Sequence, residues 1–200
     1  MNVILDYGLG NLRSLQTALL KGGIDTVITD DIDIIKAAKT IFLPGVGAYR
    51  DASNNLWERG LAEIIIEKAK EGTFIIGICL GMQLLYDRSF ENGNYKGLGL
   101  ITGDIKKLTI MPKVPHMGWN SLIKTKSDPL TKYISEGDYV YFVHSYYADS
   151  KGDENIAIVQ YGEDIPAIVR KDNIIGFQFH PEKSSQVGVN LILALKEVIM

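Results

Sequence analysis

Compact apolar runs alternate with amphipathic ones through the first half of the chain. Val3–Leu5, Thr26–Thr29 and Thr40–Leu43 are short runs that predict strands. Between the first two, Leu12, Leu15, Leu19 and Leu20 recur at helical spacing. That stripe follows Asn11, a residue suited to capping a helix N-terminus, and stops at Gly22-Gly23. Leu61, Ile64, Ile65 and Ala69 share one face of a second predicted helix, Leu61–Lys70, which Gly72 ends. Phe74–Ile76 and Ile78 read as a buried strand, and Met82–Tyr86 as the start of another helix. Strand, helix, strand with turn residues between is the grammar of a parallel α/β sheet.

The pattern then changes. After a glycine-rich stretch from Gly93 to Gly103, short alternating segments follow at Leu98–Leu108, Trp119–Lys124, Tyr139–Tyr147, Ile156–Tyr161, Ala167–Arg170 and Ile174–Phe179. They predict mostly antiparallel strands joined by turns such as Lys171-Asp172-Asn173. A last helix is expected over Val187–Val198. With no linker, charge block or internal repeat, the 200 residues read as one domain, α/β first and β-rich after.

Composition narrows the function classes. A net charge of −3 gives no reason to expect nucleic acid or an anionic membrane as a partner. The one cysteine excludes an internal disulfide and fits a reducing compartment. The N-terminal MNVILDYGLG lacks the basic and apolar regions of a signal peptide, and no apolar run approaches the ~18 residues of a spanning helix. A cytoplasmic location is expected.

The candidate chemistry lies between the strand at Phe74 and the helix at Met82. Gly77-Ile78-Cys79-Leu80-Gly81 has the Gly-x-nucleophile-x-Gly form of a nucleophile elbow, with Cys in the serine position. A sharp strand-to-helix turn strains the middle residue and leaves no room for side chains two positions away. It presents the sulfur at a helix N-terminus, where free amides and the helix dipole favour thiolate. The alternative is a buried structural cysteine, which the two spaced glycines argue against.

A cysteine nucleophile needs a proton acceptor and a group to orient it. Three histidines are available: His116 entering a strand, and His144 and His180 each ending one. In His180-Pro181-Glu182 the proline biases its neighbour towards extended backbone, where residues two apart point the same way. Glu182 can then hold one ring nitrogen while the other faces sulfur, the logic of a catalytic triad. A metal site is disfavoured, since only His180 and Glu182 are close in sequence and one thiol is present. Gly8-Leu9-Gly10 suggests a dinucleotide loop, but Arg13 stands where the third glycine belongs. Pro44-Gly45-Val46-Gly47 ends a strand and reads either as a plain turn or as a source of backbone amide donors.

Gly77–Gln83 together with Phe179–Glu182 resembles the class I glutamine amidotransferase family along the whole chain. Further stretches, Tyr7–Asn11, Pro44–Gly47, Pro115–Asn120, Tyr141–Tyr146 and Gly176–Ser185, are similar to the branch that supplies ammonia for histidine biosynthesis. The resemblance implies a three-layer, flavodoxin-like α/β fold with a mostly parallel central sheet and an added antiparallel region in the C-terminal half. It implies a Cys79–His180–Glu182 triad that hydrolyses L-glutamine through a thioester. An oxyanion hole would come from Leu80 and the Val46–Gly47 peptide, and glutamine would contact Gly45, Gly47, Gln83, Glu91, Ser145 and Tyr146. No cofactor is implied.

The implied partner is a separate (β/α)8-barrel cyclase subunit, joined as a heterodimer, which uses the ammonia to make imidazole glycerol phosphate and an aminoimidazole carboxamide ribotide. Asn11, Arg13, Trp119 and Lys183 are the interface candidates, although Trp119 reads equally well as core. Two other readings stand beside this one. One is a paralogous glutaminase feeding a sugar- or cofactor-modifying synthase; the other is a non-catalytic scaffold on the same fold.

Overall fold

The computed structural model describes residues 1–109 and 113–200. In chain order its first half contains β1 (Asn2–Leu5), α1 (Leu12–Lys21), β2 (Thr26–Thr29), α2 (Ile32–Lys36), β3 (Thr40–Gly45), α3 (Tyr49–Glu58), α4 (Leu61–Lys70), β4 (Phe74–Cys79) and α5 (Leu80–Leu84). The second half contains β5 (Arg88–Ser89), β6 (Tyr95–Lys96), β7 (Asp104–Lys107), β8 (His116–Ser121), β9 (Ile123–Lys124), β10 (Tyr139–His144), β11 (Tyr146–Asp149), β12 (Asn155–Gln160), β13 (Asp164–Lys171), β14 (Ile174–Phe177) and α6 (Ser185–Ile199).

The central sheet has the order β2-β1-β3-β4-β14-β13-β12-β9. Its pairings are parallel from β2 through β14 and antiparallel from β14 to β9. Alternation along the strands explains the three layers. Val3, Leu5, Ile41, Leu43 and Ile75 face a core completed by Ile35, Leu56, Leu61 and Ile65 of α2, α3 and α4. Ile4, Phe42, Ile76 and Ile78 face the opposite core, completed by Leu15 and Leu19 of α1 and Leu191 and Leu195 of α6. Two smaller sheets, β11-β7-β5-β6 and β10-β8, are built from the second half of the chain.

The expected flavodoxin-like α/β architecture is present, with differences of detail. Helices α2 and α3 lie where no helix was expected; α2 is capped by the Asp31 carboxylate, which accepts from the Asp33 and Ile34 amides. Asn11 precedes α1 but its side chain makes no capping hydrogen bond. Of the Leu98–Leu108 segment only Asp104–Lys107 is strand. The Tyr139–Tyr147 segment divides at Ser145: β10 pairs with β8, whereas β11 pairs with β7. Strand β14 is antiparallel to β13 but parallel to β4, within the mostly antiparallel second half, and it leads the chain to His180.

Candidate active site

Strand β4 ends at Cys79, which stands in register beside Gly45 of β3. The backbone of Cys79 is at φ 55°, ψ −111°, an unfavourable conformation for a side-chain-bearing residue. The elbow glycines relieve the crowding this creates. A Cβ on Gly77 would lie 2.5 Å from the Gly81 carbonyl oxygen, and one on Gly81 would lie 1.7 Å from that of Leu43. Neither position admits alanine without moving backbone.

His180 follows β14, the other parallel neighbour of β4. Its Nδ1 lies 2.8 Å from Glu182 Oε1, and both side chains are buried. The backbone of His180 is extended and Pro181 begins the short turn Pro181–Lys183, which brings the two side chains to one side. Nε2 is buried with no hydrogen-bond partner among the described residues. Burial lowers the His180 pKa, but Cys79 and Glu182 together outweigh it and raise the value to about 9. An imidazolium is therefore favoured between a sulfur and a carboxylate.

Cys79, His180, Val46, Gly47, Leu80, Gln83, Glu91, Ser145 and Tyr146 all line one cleft of about 380 Å³ at the carboxyl ends of β3 and β4. That volume is in the range of small-molecule sites. Glu182 and Gly45 do not line the cleft: Glu182 is linked to it through His180, and Gly45 is buried at the end of β3. A Cβ at Gly45 would come within 2.7 Å of the Tyr7 hydroxyl and 2.9 Å of Leu80. The Glu91 carboxylate accepts the amide of Tyr49, at the start of α3.

Side chains with no predicted role at the site also meet here. Tyr7 donates its hydroxyl to the Pro44 carbonyl at 2.6 Å, and burial pushes its pKa up, so it stays a donor. Gln178 is fully buried and reaches Cys79 from β14's extension. His144 and His116 form a buried pair, with His144 Nε2 2.9 Å from His116 Nδ1. Tyr146 O lies 2.9 Å from His144 Nδ1, which fixes that nitrogen as the donor. Its other nitrogen must then accept from His116. Burial holds their pKa values down at about 3 and about 4, so neither carries charge at neutral pH. They brace the strand break at Ser145.

The glutamine amidotransferase class-I family model matches residues 3–198. The chain belongs to the class I glutamine amidotransferase family. Among curated relatives, it is 50% identical over 198 residues to the imidazole glycerol phosphate synthase subunit HisH of Lactococcus lactis subsp. lactis, covering 98% of both chains. It is also 50% identical over 201 residues to the same-named subunit of Oceanobacillus iheyensis, covering 100% of both. Among solved structures, a glutamine amidotransferase crystal structure superposes with a TM-score of 0.75 at 19% identity, covering 96% of this chain and 98% of that one. The PurLQS structure from Thermotoga maritima gives 0.72 at 21% identity, covering 100% and 98%. At those identities the structures establish the shared amidotransferase fold.

The four interface candidates are all exposed: Asn11, Arg13, Trp119 and Lys183. Trp119 is 50% accessible, so it is not core. Its ring meets Tyr141 edge-on at 5.9 Å, and the Lys183 ammonium lies 6.0 Å from the same Tyr141 ring. Arg13 lines a groove with Pro181 and Glu182 on the outer side of the site. No helix among the described residues is long and apolar enough to cross a membrane.

Proposed function

We propose that this chain is the glutaminase subunit of an imidazole glycerol phosphate synthase. It hydrolyses L-glutamine to glutamate and delivers ammonia to a (β/α)8-barrel cyclase subunit bound as a heterodimer. The observation that carries the reading is the strained Cys79, lining one cleft with His180, whose other ring nitrogen the buried Glu182 holds. Full-length identity of 50% to two subunits of that synthase supports the pathway.

The mechanism follows from the donors and acceptors. Cys79 thiolate attacks the side-chain amide carbon of glutamine, and the carbonyl electron pair moves onto oxygen. The Leu80 amide and the Val46–Gly47 peptide receive that oxyanion; one such donor contributes about 3–4 kcal/mol to the transition state. His180 gives a proton to the departing nitrogen, ammonia leaves, and a γ-glutamyl thioester remains. His180 then takes a proton from water, which attacks the thioester and returns the thiolate. Glu182 orients the ring and stabilises its positive form throughout.

Glutamine is held by its ends. Glu91 meets the α-ammonium, while Gln83, Ser145 and Tyr146 shape the remainder of the cleft, and Gly45 and Gly47 let the backbone approach. The cyclase docks on the face carrying Asn11, Arg13, Trp119 and Lys183, beside the site. A subunit with no acceptor of its own gains from staying quiet until that partner arrives, since ammonia made early is lost. The exposed Val46–Gly47 peptide is the part free to change.

Cys79→Ala tests the reading. Mixed with the cyclase, it abolishes glutamine-dependent synthesis and leaves ammonia-dependent synthesis intact; loss of both overturns the division of labour. A glutamine-analogue electrophile labels the wild-type cysteine in the complex, and absence of labelling would return the scaffold reading.

A further inference from the structure

One buried side chain at the site has no role in the mechanism above. The Gln178 side chain has no solvent exposure, although it is polar and lies in a sheet extension otherwise filled by Phe177 and Phe179. Its amide lies between the Gln83 amide and the Cys79 sulfur. Gln83 Nε2 donates to Tyr146 O at 2.8 Å and to Gln178 Oε1 at 3.0 Å. Gln178 Nε2 lies 3.9 Å from Cys79 Sγ.

The direction of this chain is not free. Tyr146 O can only accept, and it also takes the His144 Nδ1 proton. The Gln83 NH2 must therefore point at it, and the second hydrogen of that NH2 points at Gln178. Gln178 must then turn its oxygen to Gln83 and its NH2 to the sulfur. A backbone carbonyl thus sets the polarity of two amides and leaves an N–H donor aimed at Cys79. On another side of the sulfur, the Val143 carbonyl lies at 3.8 Å. A thiol can donate to that oxygen; a thiolate cannot, and needs a donor instead.

We propose that Gln178 is a positioning residue for the nucleophile: its amide, locked by Gln83, donates to the Cys79 thiolate. The charged and titratable groups around that sulfur are His180 with Glu182 from the β14 extension, Tyr7 beyond β1, His144 from β10 and Glu91 across the cleft. None of them supplies this donor except His180, whose proton is the one transferred. The proposal rests on Cys79 being the nucleophile. Its test needs neither glutamine nor the cyclase, so a chain inert towards glutamine would still answer it.

Cys79 is the sole cysteine, so alkylation by iodoacetamide reports one thiol. The rate is followed against pH in wild type, Gln178→Met and Gln178→Glu, with circular dichroism to establish folding. Loss of the donor in Gln178→Met moves the midpoint upward by roughly half to one pH unit. Gln178→Glu, once its carboxyl is ionised, also moves it upward, because the thiolate then forms against a second negative charge. In the wild type, the Gln178 side-chain amide protons shift in NMR spectra with the alkylation midpoint. Unchanged midpoints in folded variants overturn the proposal. If neither variant folds, amide protons that ignore the thiol titration overturn it.

Discussion

His180 Nδ1 and Glu182 Oε1 lie 2.8 Å apart, two residues along one short turn, and both are hidden from solvent. The contact fixes which ring nitrogen is free. With Nδ1 held by the carboxylate, Nε2 is the nitrogen left over, on the side of Cys79. Glu182→Gln keeps the shape but removes the charge that supports the imidazolium. Glutamine hydrolysis by the complex should fall about 10²–10⁴-fold in kcat, with ammonia-dependent synthesis by the cyclase unchanged. Steady-state assays with the two nitrogen sources separate these outcomes.

The sulfur should be visible in the titration of that same ring. His180 is raised to about 9 because Cys79 and Glu182 overcome the lowering effect of burial. Cys79→Ala removes one of the two supports. The His180 imidazole should then titrate at a lower pH than in wild type, measured by NMR of labelled histidine. A value unmoved by the substitution would mean that Cys79 and His180 do not interact.

The elbow was legible in the sequence because its constraint is steric and local. A glycine two positions before and after a cysteine, where an apolar strand meets a helix, marks a turn with no room for a Cβ. The clashes at Gly77 and Gly81 are that constraint in the fold. His180 and Glu182 were legible because proline fixes the backbone between them. Helix α3 was not: its buried positions Tyr49, Ala52, Ser53 and Leu56 have helical spacing, yet alanine and serine make a faint apolar stripe. Helix α2 has only five residues, too few for a periodic signal. Gln178 was hidden for a different reason. Its importance comes from Cys79 and from Gln83, itself held by the Tyr146 carbonyl, and these meet only in the folded chain.

Glycine at 81 answers to packing, and a control can show it. A Cβ there would lie 1.7 Å from the Leu43 carbonyl oxygen, so strand β3 must move. Gly72 has φ +92° but nothing within 4 Å of the added carbon. Gly72→Ala should therefore cost only backbone strain, about 1–3 kcal/mol. Gly81→Ala should cost more, and should also displace Cys79 and abolish glutamine turnover. Thermal denaturation of the two variants checks the order, and equal losses would count against the close approach seen here.

The remaining histidines should govern stability on the acid side. In an unfolded chain each titrates near 6.5; in the fold burial holds His116 at about 4 and His144 at about 3. Between those values the unfolded chain binds protons that the folded chain refuses, so stability falls as pH drops from 6.5 towards 4. His180 has the opposite sign. Its folded value of about 9 means that its contribution is complete below 6.5 and is lost as pH rises through 9. Stability should accordingly peak near pH 6.5. Urea unfolding at intervals from pH 5 to 9 should show both limbs. Replacing His116 and His144 together by glutamine removes the groups that titrate on the acid side. The slope between pH 6.5 and 5 should flatten, while the alkaline limb stays. If the acid slope survives the double substitution, carboxylates rather than this buried pair set it.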